Sequence, residues 1–349
     1  MTREILEQLI AGQDLTQDQA ADLLRSMASG EVEPAAAGAL LTALRIKGEA
    51  ATEIRGFAVA MRELARHPVI PRDLECVDIV GTGGDGSGSL NLSTGSALLA
   101  AAAGLKVVKH GNRSISSQSG SADVLASLGL PMPLDESAAA RCLEQTGFTF
   151  LFAPHYHPAM KHIAPVRQAL GVRTIFNVLG PLVNPAEPPF HVLGAASEQL
   201  AQLMAEAIAE MPIKRAFVVH GAAGWDEATP IGPFVCFDVA AGNIERQTRD
   251  PSDFGIARCA EADLLGGTPE QNASRLDQAL RGEDTAAHRD ALVTGAALAL
   301  EVTGAAADFA LAIERARLAI DDGSAARLLD SLASFTAAES AADDRPDAG

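Results

Sequence analysis

Residues 1–70 show hydrophobic positions at helical spacing and no strand pattern. One apolar stripe is typical of an amphipathic helix: Ile5, Leu6, Leu9 and Ile10. A capping box formed by Thr16 and Gln19 predicts a second helix, and Gly30 and Gly48 are natural helix ends. Two more helices are predicted over 33–47 and 52–66. We therefore predict a small all-helical domain over 1–70, joined by helices from about 158–185.

From Asp73 onward, short apolar runs alternate with helical segments, which is the pattern of a parallel βαβ sheet. The strand candidates are 77–80, 105–108, 148–152, 216–219 and 234–238. Past Asp250 the pattern is mainly helical, with apolar spacing over 291–319. We predict an α/β fold whose large domain, 73–335, has a mostly parallel central sheet flanked by helices. The acidic segment 336–349 is expected to be a disordered tail.

Composition excludes several classes of protein. The net charge of -18 argues against a broad nucleic-acid-binding surface. The start lacks a signal-peptide pattern and no apolar run approaches the length of a membrane span, so no membrane partner is expected. The scattered cysteines predict free thiols in the cytoplasm: Cys76, Cys142, Cys236 and Cys259. A thin helical domain should also bury its outer face against a second copy, giving a homo-oligomer contact.

The strand candidate at 77–80 runs into a glycine-rich loop, Gly81-Thr82-Gly83-Gly84-Asp85-Gly86, which precedes a helix over 93–103. The free N–H groups and dipole of that helix would attract a phosphate. Hydroxyl donors nearby add to the site: Ser87, Ser89, Ser93 and Thr94. A structural turn without a ligand is the alternative.

The same loop matches the dinucleotide-binding pattern Gly81-x-Gly83-x-x-Gly86. That pattern expects an acidic residue about 20 positions later, at the end of the next strand. Here the next strand candidate ends in the basic run Lys109-His110-Gly111-Asn112-Arg113, which favours further phosphate contacts over an NAD ribose. No Gly-Lys-Ser/Thr sequence follows, which disfavours a P-loop nucleotide hydrolase.

The segment 109–121 repeats the strand, loop and helix order with two cations and five serines. Such a loop could hold a doubly phosphorylated ligand, with a solvated basic turn as the alternative. A third strand candidate is followed by the adjacent carboxylates Asp226 and Glu227. Beside phosphate loops they suggest Mg²⁺, which prefers oxygen ligands, although such a pair taken alone is more often a solvated turn.

Three histidines, His155, His157 and His162, invite a zinc interpretation, but no cysteine or carboxylate stands at a companion spacing. Farther on, arginines at Arg167 and Arg173 precede a glycine-proline corner at Gly180-Pro181. An arginine beside an apolar corner could clamp a small aromatic carboxylate, with a surface salt bridge as the alternative.

Taken together, these motifs resemble the anthranilate phosphoribosyltransferase family over nearly the whole chain. The resemblance is carried in order by 81–85, 109–113, 157–161, 173–177 with Gly180-Pro181, and Asp226-Glu227. It implies a nucleoside phosphorylase/phosphoribosyltransferase-like fold and a homodimer joined through the helical domains. It also implies transfer of phosphoribose from phosphoribosyl pyrophosphate to the amine of anthranilate, with Mg²⁺.

The resemblance also implies site residues. Phosphoribosyl pyrophosphate would be held by Gly81, Gly84, Asp85, Ser89, Asn91, Leu92, Ser93, Thr94, Lys109, His110, Gly111, Asn112, Arg113, Ser114, Ile115, Ser116, Ser117 and Ser121. The anthranilate tunnel would be lined by Gly81, Asn112, Arg167, Gly180 and Pro181. The metal ions would be bound by Ser93, Asp226 and Glu227. No catalytic base is obligatory; His110 either takes the amine proton late or only orients a substrate.

The alternatives are a pyrimidine nucleoside phosphorylase-like enzyme and a non-catalytic paralogue that binds phosphorylated ligands or nucleic acid. The first would carry a Lys-x-Ser-rich phosphate motif in place of the 109–113 run, and the second conflicts with the net charge of -18. Two departures from the family pattern are Trp225, which leaves the shape of the metal loop open, and Thr294-Gly295 in a late helix.

Overall fold

A computed structural model describes residues 2–113, 118–130 and 132–343. The chain begins with four helices: α1 (Thr2–Ile10), α2 (Gln17–Ala28), α3 (Pro34–Lys47) and α4 (Ala51–Glu63). The predicted capping box before α2 is confirmed, since Thr16 Oγ1 accepts from the Gln19 N–H at 3.2 Å and the Gln19 side chain accepts from the Thr16 N–H at 2.9 Å.

The described residues of the large domain form one seven-stranded sheet with the order β3-β2-β1-β4-β5-β6-β7. The first five strands in this order pair in parallel, whereas β6 is antiparallel to β5 and β7 is antiparallel to β6. The strands are β1 (Val77–Gly81), β2 (Val107–Gly111), β3 (Phe148–Phe152), β4 (Phe190–Gly194), β5 (Arg215–His220), β6 (Phe234–Ala240) and β7 (Asn243–Arg249). The predicted fold class, helices beside a mostly parallel sheet, is confirmed.

Two strands, β4 and β7, were absent from the sequence prediction. All five residues of β4 are buried, so its apolar run lacks the alternation that marks a strand with one solvated face. Strand β7 is mostly exposed and polar, and it pairs with β6 through a tight turn at Ala241-Gly242, where φ is 49° and 78°. Its position is therefore set by the hairpin and leaves no hydrophobic signal.

Strand order places a crevice between β1 and β4. The chain passes from β1 through β2 to β3 on one side, and then returns to pair β4 with the other side of β1. Connections therefore leave these neighbouring strands in opposite directions, and ligands of open α/β sheets bind outside the carboxyl ends at such a point. Here those ends are Gly81 and Gly194, which are paired in register.

Helices cover both faces of the sheet. They are α5 (Leu92–Ala102), α6 (Ser121–Ser127), α7 (Glu136–Thr146), α8 (Ala153–Tyr156), α9 (Met160–Leu170), α10 (Phe176–Leu179), α11 (Glu198–Ala209), α12 (Pro269–Leu280), α13 (Ala286–Val302), α14 (Phe309–Asp321) and α15 (Ser324–Asp343). Small residues let α5 and α13 pack closely, because a Cβ on Gly295 would lie 2.3 Å from Ser96 Oγ. The Thr294-Gly295 departure thus supports the helix that begins at the predicted phosphate loop.

Helices α9 and α10 pack against α2, α3 and α4, and one hydrophobic core joins them to α11 and one face of the sheet. The last helix runs to Asp343, past residue 336, where the predicted tail begins. The rest of the predicted tail, 344–349, lies outside the described residues. Among the described residues, none of the helices has the length and apolar character needed to cross a membrane.

Candidate active site

Two glycines at the carboxyl ends of β1 and β4 make room for Asp226. A Cβ on Gly81 would lie 2.3 Å from Asp226 Oδ2, and one on Gly194 would lie 1.6 Å from the Asp226 carbonyl oxygen. Such approaches exclude any side chain at either position. The segment after β5 therefore reaches across to the β1–β4 crevice. Sequence reasoning missed Gly194 because it missed β4.

The adjacent carboxylates face the first predicted phosphate loop. Asp226 Oδ2 accepts from the Gly83 N–H at 2.6 Å. Glu227 accepts from the Ser93 N–H at 2.8 Å and from Ser89 Oγ at 3.2 Å. Ser93 lies in the first turn of α5, so a carboxylate of the protein already interacts with the helix terminus that was predicted to face a phosphate.

Burial of these carboxylates opposes their ionisation. The pKa of Asp226 and that of Glu227 are both raised, first because burial disfavours the charged form and then because the two groups and Asp85 repel one another. Asp85 stands close, since its Oδ2 accepts from the Asp226 N–H at 3.2 Å.

The donor set fits Mg²⁺. Within the described residues, no group of three or more His, Cys, Asp or Glu is arranged as a complete metal site. Mg²⁺ does not require one, because it usually binds one or two carboxylates and completes its shell with water and substrate phosphates. A divalent cation between Asp226 and Glu227 would also relieve the repulsion that raises their pKa values.

A hydrogen-bonded amide ties the first loop to the second. Asn91 donates to the Ser119 carbonyl at 3.1 Å, and Ser119 Oγ donates back to Asn91 Oδ1 at 3.0 Å. Asn272, a residue that sequence reasoning missed, donates to the same oxygen at 2.8 Å from α12. The predicted residues between the two ends of this loop, 114–117, lie outside the described part of the chain.

The basic run after β2 contains a buried cation. Lys109 is 1% exposed, and its ammonium donates to the Ile79 carbonyl and lies 3.4 Å from Ser93 Oγ. Burial lowers the pKa of Lys109 to about 8, opposed by the nearby carboxylates of Asp78, Glu227 and Asp226.

Asp78 and Asn184 support this run, and sequence reasoning missed both. Asp78 accepts from the His110 N–H at 3.2 Å and from Asn184 Nδ2 at 2.8 Å. Asn184 Nδ2 also donates to the Val108 carbonyl at 2.8 Å, so it ties β1 to β2. No local pattern marks either residue, because their partners lie far away in sequence.

Both ring nitrogens of His110 have partners. Nδ1 lies 3.1 Å from the Gly180 carbonyl, and Nε2 lies 3.2 Å from His157 Nε2. A carbonyl only accepts, so Nδ1 carries the proton and Nε2 accepts from His157. Burial, followed by the neighbouring His157, lowers the pKa of His110 to about 3. This arrangement leaves His110 without a free lone pair.

Three of the predicted acceptor residues lie between α9 and the turn that follows α10. Arg167 lies with its guanidinium carbon 5.2 Å from the centre of the Phe176 ring, and burial lowers its pKa. Among the described residues no carboxylate forms an ion pair with Arg167, which disfavours the surface salt bridge considered above. Gly180 and Pro181 begin a short 3₁₀ turn just after α10.

Other predicted residues occupy varied positions. The side chains of Leu92 and Thr94 are buried, so only their backbone could face a ligand. The lack of a side chain at Gly111 leaves room for Ser121, whose Oγ donates to the Asn112 carbonyl at 3.2 Å. Arg113 is exposed, with its Nε 3.8 Å from the Asp123 carboxylate.

The three histidines that suggested zinc have separate neighbours. His155 lies 3.3 Å from the Glu136 carboxylate, His157 contacts His110, and His162 lies against Gly30. The Trp225 side chain belongs to the hydrophobic core and is 2% exposed. Its carbonyl accepts from the Gly221 N–H at 2.8 Å, which closes the loop before Asp226.

A far larger cavity lies away from these residues. A groove of about 1280 Å³ runs between α1, α3 and α9, whereas the space lined by Gly81, Ser93, Asp226 and Glu227 measures about 30 Å³. The smaller space suits a water or an ion. Size alone therefore does not identify the site.

Both parts of the chain match models of one class of protein. Residues 3–65 match the helical bundle domain of the glycosyl transferase family, and residues 73–326 match its a/b domain. The fold is thus that of a glycosyl transferase.

Comparison with individual proteins identifies the family within this class. Anthranilate phosphoribosyltransferase of Herpetosiphon aurantiacus is 47% identical over 313 residues, which cover 89% of this chain and 92% of that protein. The crystal structure of the Thermus thermophilus enzyme is 40% identical with a TM-score of 0.88, covering 95% of this chain and 99% of that one. The Saccharomyces cerevisiae enzyme in complex with phosphoribosyl pyrophosphate and Mg is 28% identical with a TM-score of 0.87, covering 97% and 98%. The chain belongs to the anthranilate phosphoribosyltransferase family, as its motifs predicted.

Proposed function

We propose that this chain transfers the phosphoribosyl group of phosphoribosyl pyrophosphate to the amine of anthranilate. The products are N-(5-phosphoribosyl)anthranilate and pyrophosphate, and the step belongs to tryptophan biosynthesis. One observation carries the proposal: in a chain of this family, the loop after β1 and the carboxylates after β5 meet at the β1–β4 crevice, where Gly83 N–H bonds to Asp226.

The donor would lie over the two loops. Donors to the 5-phosphate and the pyrophosphate would come from backbone N–H groups of the glycine-rich segment, from the Ser93 hydroxyl and from the second loop, which begins at Lys109. Asn91 supports this arrangement because it bridges to Ser119 at 3.0 Å and so fixes one loop against the other.

Ser93, Asp226 and Glu227 would hold Mg²⁺. When bound, the ion neutralises charge that develops on the departing pyrophosphate, which is the largest contribution expected in a reaction with an oxocarbenium-like sugar. The Glu227 carboxylate is already oriented without the ion, because the Ser93 N–H and the Ser89 hydroxyl each donate to one of its oxygens.

The acceptor would lie between Arg167 and the Gly180-Pro181 corner, with Gly81 and Asn112 beside it. Arg167 has no carboxylate partner among the described residues, so its guanidinium is free to bind the carboxylate of anthranilate. The aniline nitrogen is uncharged at neutral pH and needs positioning more than deprotonation.

His110 orients the acceptor corner and takes no proton in this proposal. Its Nδ1–H donates to the Gly180 carbonyl at 3.1 Å, and its Nε2 is engaged by His157 at 3.2 Å. A base needs a free lone pair and a pKa near the working pH, whereas the pKa of His110 is about 3.

The protein would act as a homodimer joined through its N-terminal helices. The groove between α1, α3 and α9 is apolar, and two of its lining residues, Ile10 and Ile46, are 67% and 81% exposed. A contiguous apolar patch of this kind marks an interface. We also expect a cytoplasmic enzyme, since all four cysteines are free thiols.

Loss of anthranilate fluorescence tests the reaction. Purified protein is mixed with anthranilate, phosphoribosyl pyrophosphate and Mg²⁺, with controls that omit the donor or add EDTA. We expect a loss that requires both the donor and the metal, with stoichiometric release of pyrophosphate. Folded protein that binds the donor but leaves anthranilate unchanged would contradict the proposed acceptor.

A further inference from the structure

Arg173 joins the helical part of the molecule to the first phosphate loop. Its Nη2 donates to the Gly83 carbonyl at 2.8 Å, and its Nη1 donates to the Gly84 carbonyl at 3.2 Å. The approach is close, because a Cβ on Gly84 would lie 2.4 Å from Nη2. One planar guanidinium therefore holds two successive carbonyl groups.

The position of Arg173 is itself fixed. It lies between α9 and α10, where Arg45 of α3 donates to its carbonyl oxygen. The next residue, Thr174, donates its N–H to Asn177 Oδ1 at 2.9 Å. The guanidinium is thus presented to the loop from a backbone that the helices hold in place.

This contact sets the direction of two N–H groups. In a trans peptide the carbonyl of one residue and the N–H of the next point in opposite directions, and both bonds here are trans. Since the carbonyls of Gly83 and Gly84 point at Arg173, the N–H groups of Gly84 and Asp85 point away from it. Within the described residues, neither of these N–H groups has an acceptor.

We propose that Arg173 is a positioning residue that turns the Gly83 and Gly84 carbonyls outward, so that the N–H groups of Gly84 and Asp85 bind the pyrophosphate of the donor. Successive N–H groups on one side of a turn form an anion site, and a carbonyl turned inward would repel the same anion. Arg173 acts through the loop and need not touch the substrate. The inference rests on the proposed function, because it takes the loop to be the donor site.

Kinetics of two variants test this role. We expect Arg173→Ala to raise the KM for phosphoribosyl pyrophosphate roughly three- to tenfold, a modest factor because the contact is exposed to solvent. The KM for anthranilate and kcat should stay within about twofold. Arg173→Lys keeps the charge but loses the planar fork, so it should restore only part of the loss. Full recovery in the lysine variant, or an equal rise in both KM values, would overturn the proposal.

Binding of inorganic pyrophosphate gives a readout without the acceptor. Calorimetry in the presence of Mg²⁺ should show weaker binding to Arg173→Ala than to the wild type. A matched control is Arg246→Ala, which removes a surface arginine paired with Glu198 at 2.8 Å and should bind normally. Equal affinity of the wild type and Arg173→Ala would overturn the inference while leaving the enzyme's activity intact. Absence of turnover in the wild type would instead contradict the proposed function.

Discussion

Asp226 occupies a space that two glycines leave open, and this geometry defines the site at the scale of single residues. Its carboxylate reaches the Gly83 N–H at 2.6 Å because neither Gly81 nor Gly194 carries a side chain. Burial makes the ionised carboxylate of Asp226 less stable and so raises its pKa. A bound cation would stabilise the ionised form, which gives the buried carboxylate a function.

Asp226→Asn therefore provides the first prediction. The amide keeps the shape and can still accept from Gly83, so the fold should persist, while the charge that attracts Mg²⁺ is lost. We expect kcat/KM to fall about a hundredfold or more, in line with the loss of one strong electrostatic contact. A steady-state titration with Mg²⁺ measures this, and circular dichroism serves as the folding control. Unchanged magnesium dependence would argue against the metal role.

His191 gives a prediction on pH and stability. It is fully buried in β4, where neither ring nitrogen makes a well-formed hydrogen bond within the described structure and the Pro188 backbone is a weak partner. Burial, followed by the charge of Arg62, lowers its pKa to about 3. In the unfolded chain the pKa of histidine is about 6.5, so unfolding takes up a proton below that pH. This contribution to stability is complete above pH 6.5 and is lost as the pH falls towards 3.

His191→Leu removes this titration. Between pH 7.5 and 5.5, the difference in unfolding free energy between variant and wild type should move in favour of the variant by about 1.4 kcal/mol. Urea denaturation at equal protein concentration at the two pH values measures it. The same pH dependence in both proteins would show that His191 does not titrate on unfolding.

At the scale of elements, the helical domain supports one side of the proposed acceptor corner, Gly180-Pro181. Arg62 of α4 donates to the Leu182 carbonyl at 2.9 Å, directly after the Gly180-Pro181 corner. Phe57 of the same helix packs edge-on against Phe176 of α10 at 5.8 Å. The corner is thus fixed by contacts with α4, and Arg167 is carried by α9 on the same unit.

Arg167→Ala tests this assignment. Loss of a charge-assisted contact with the anthranilate carboxylate should raise the KM for anthranilate about 10- to 100-fold, whereas the KM for phosphoribosyl pyrophosphate should change little. Initial rates with each substrate varied in turn measure both values. Gln168→Ala, an exposed neighbour on the same helix, is the control and should behave as wild type. Equal effects on both KM values would remove Arg167 from the acceptor site.

What the sequence could predict depends on how local each signal is. The loop from Gly81 to Gly86 was found because strand, glycines and helix follow one another directly. Asp78 and Asn184 carried no such signal, since their 2.8 Å bond joins residues that are distant in sequence. The same holds for Asn272, which reaches Asn91 from α12. The partners of His110 likewise became known only from the structure.

At the scale of the whole molecule, the apolar groove on the helical domain predicts a dimer. Ile46 is 81% exposed at this groove, so Ile46→Glu should place a charge in the interface and yield monomers. Leu318→Glu, at a 59% exposed position on α14, is the control and should leave the protein a dimer. Sedimentation equilibrium measures the result. A wild-type monomer, or an Ile46→Glu dimer, would contradict the proposed interface.

The central claim is that the loop after β1 and the Asp226–Glu227 pair bind phosphoribosyl pyrophosphate together with Mg²⁺. Calorimetric titration of the donor without anthranilate, in the presence and absence of Mg²⁺, tests it most directly when wild type is compared with Glu227→Gln. We predict that Mg²⁺ tightens binding to the wild type at least tenfold and has little effect on the variant, because the glutamine amide lacks the charge that holds the cation. Equal enhancement by Mg²⁺ in both proteins would contradict the account.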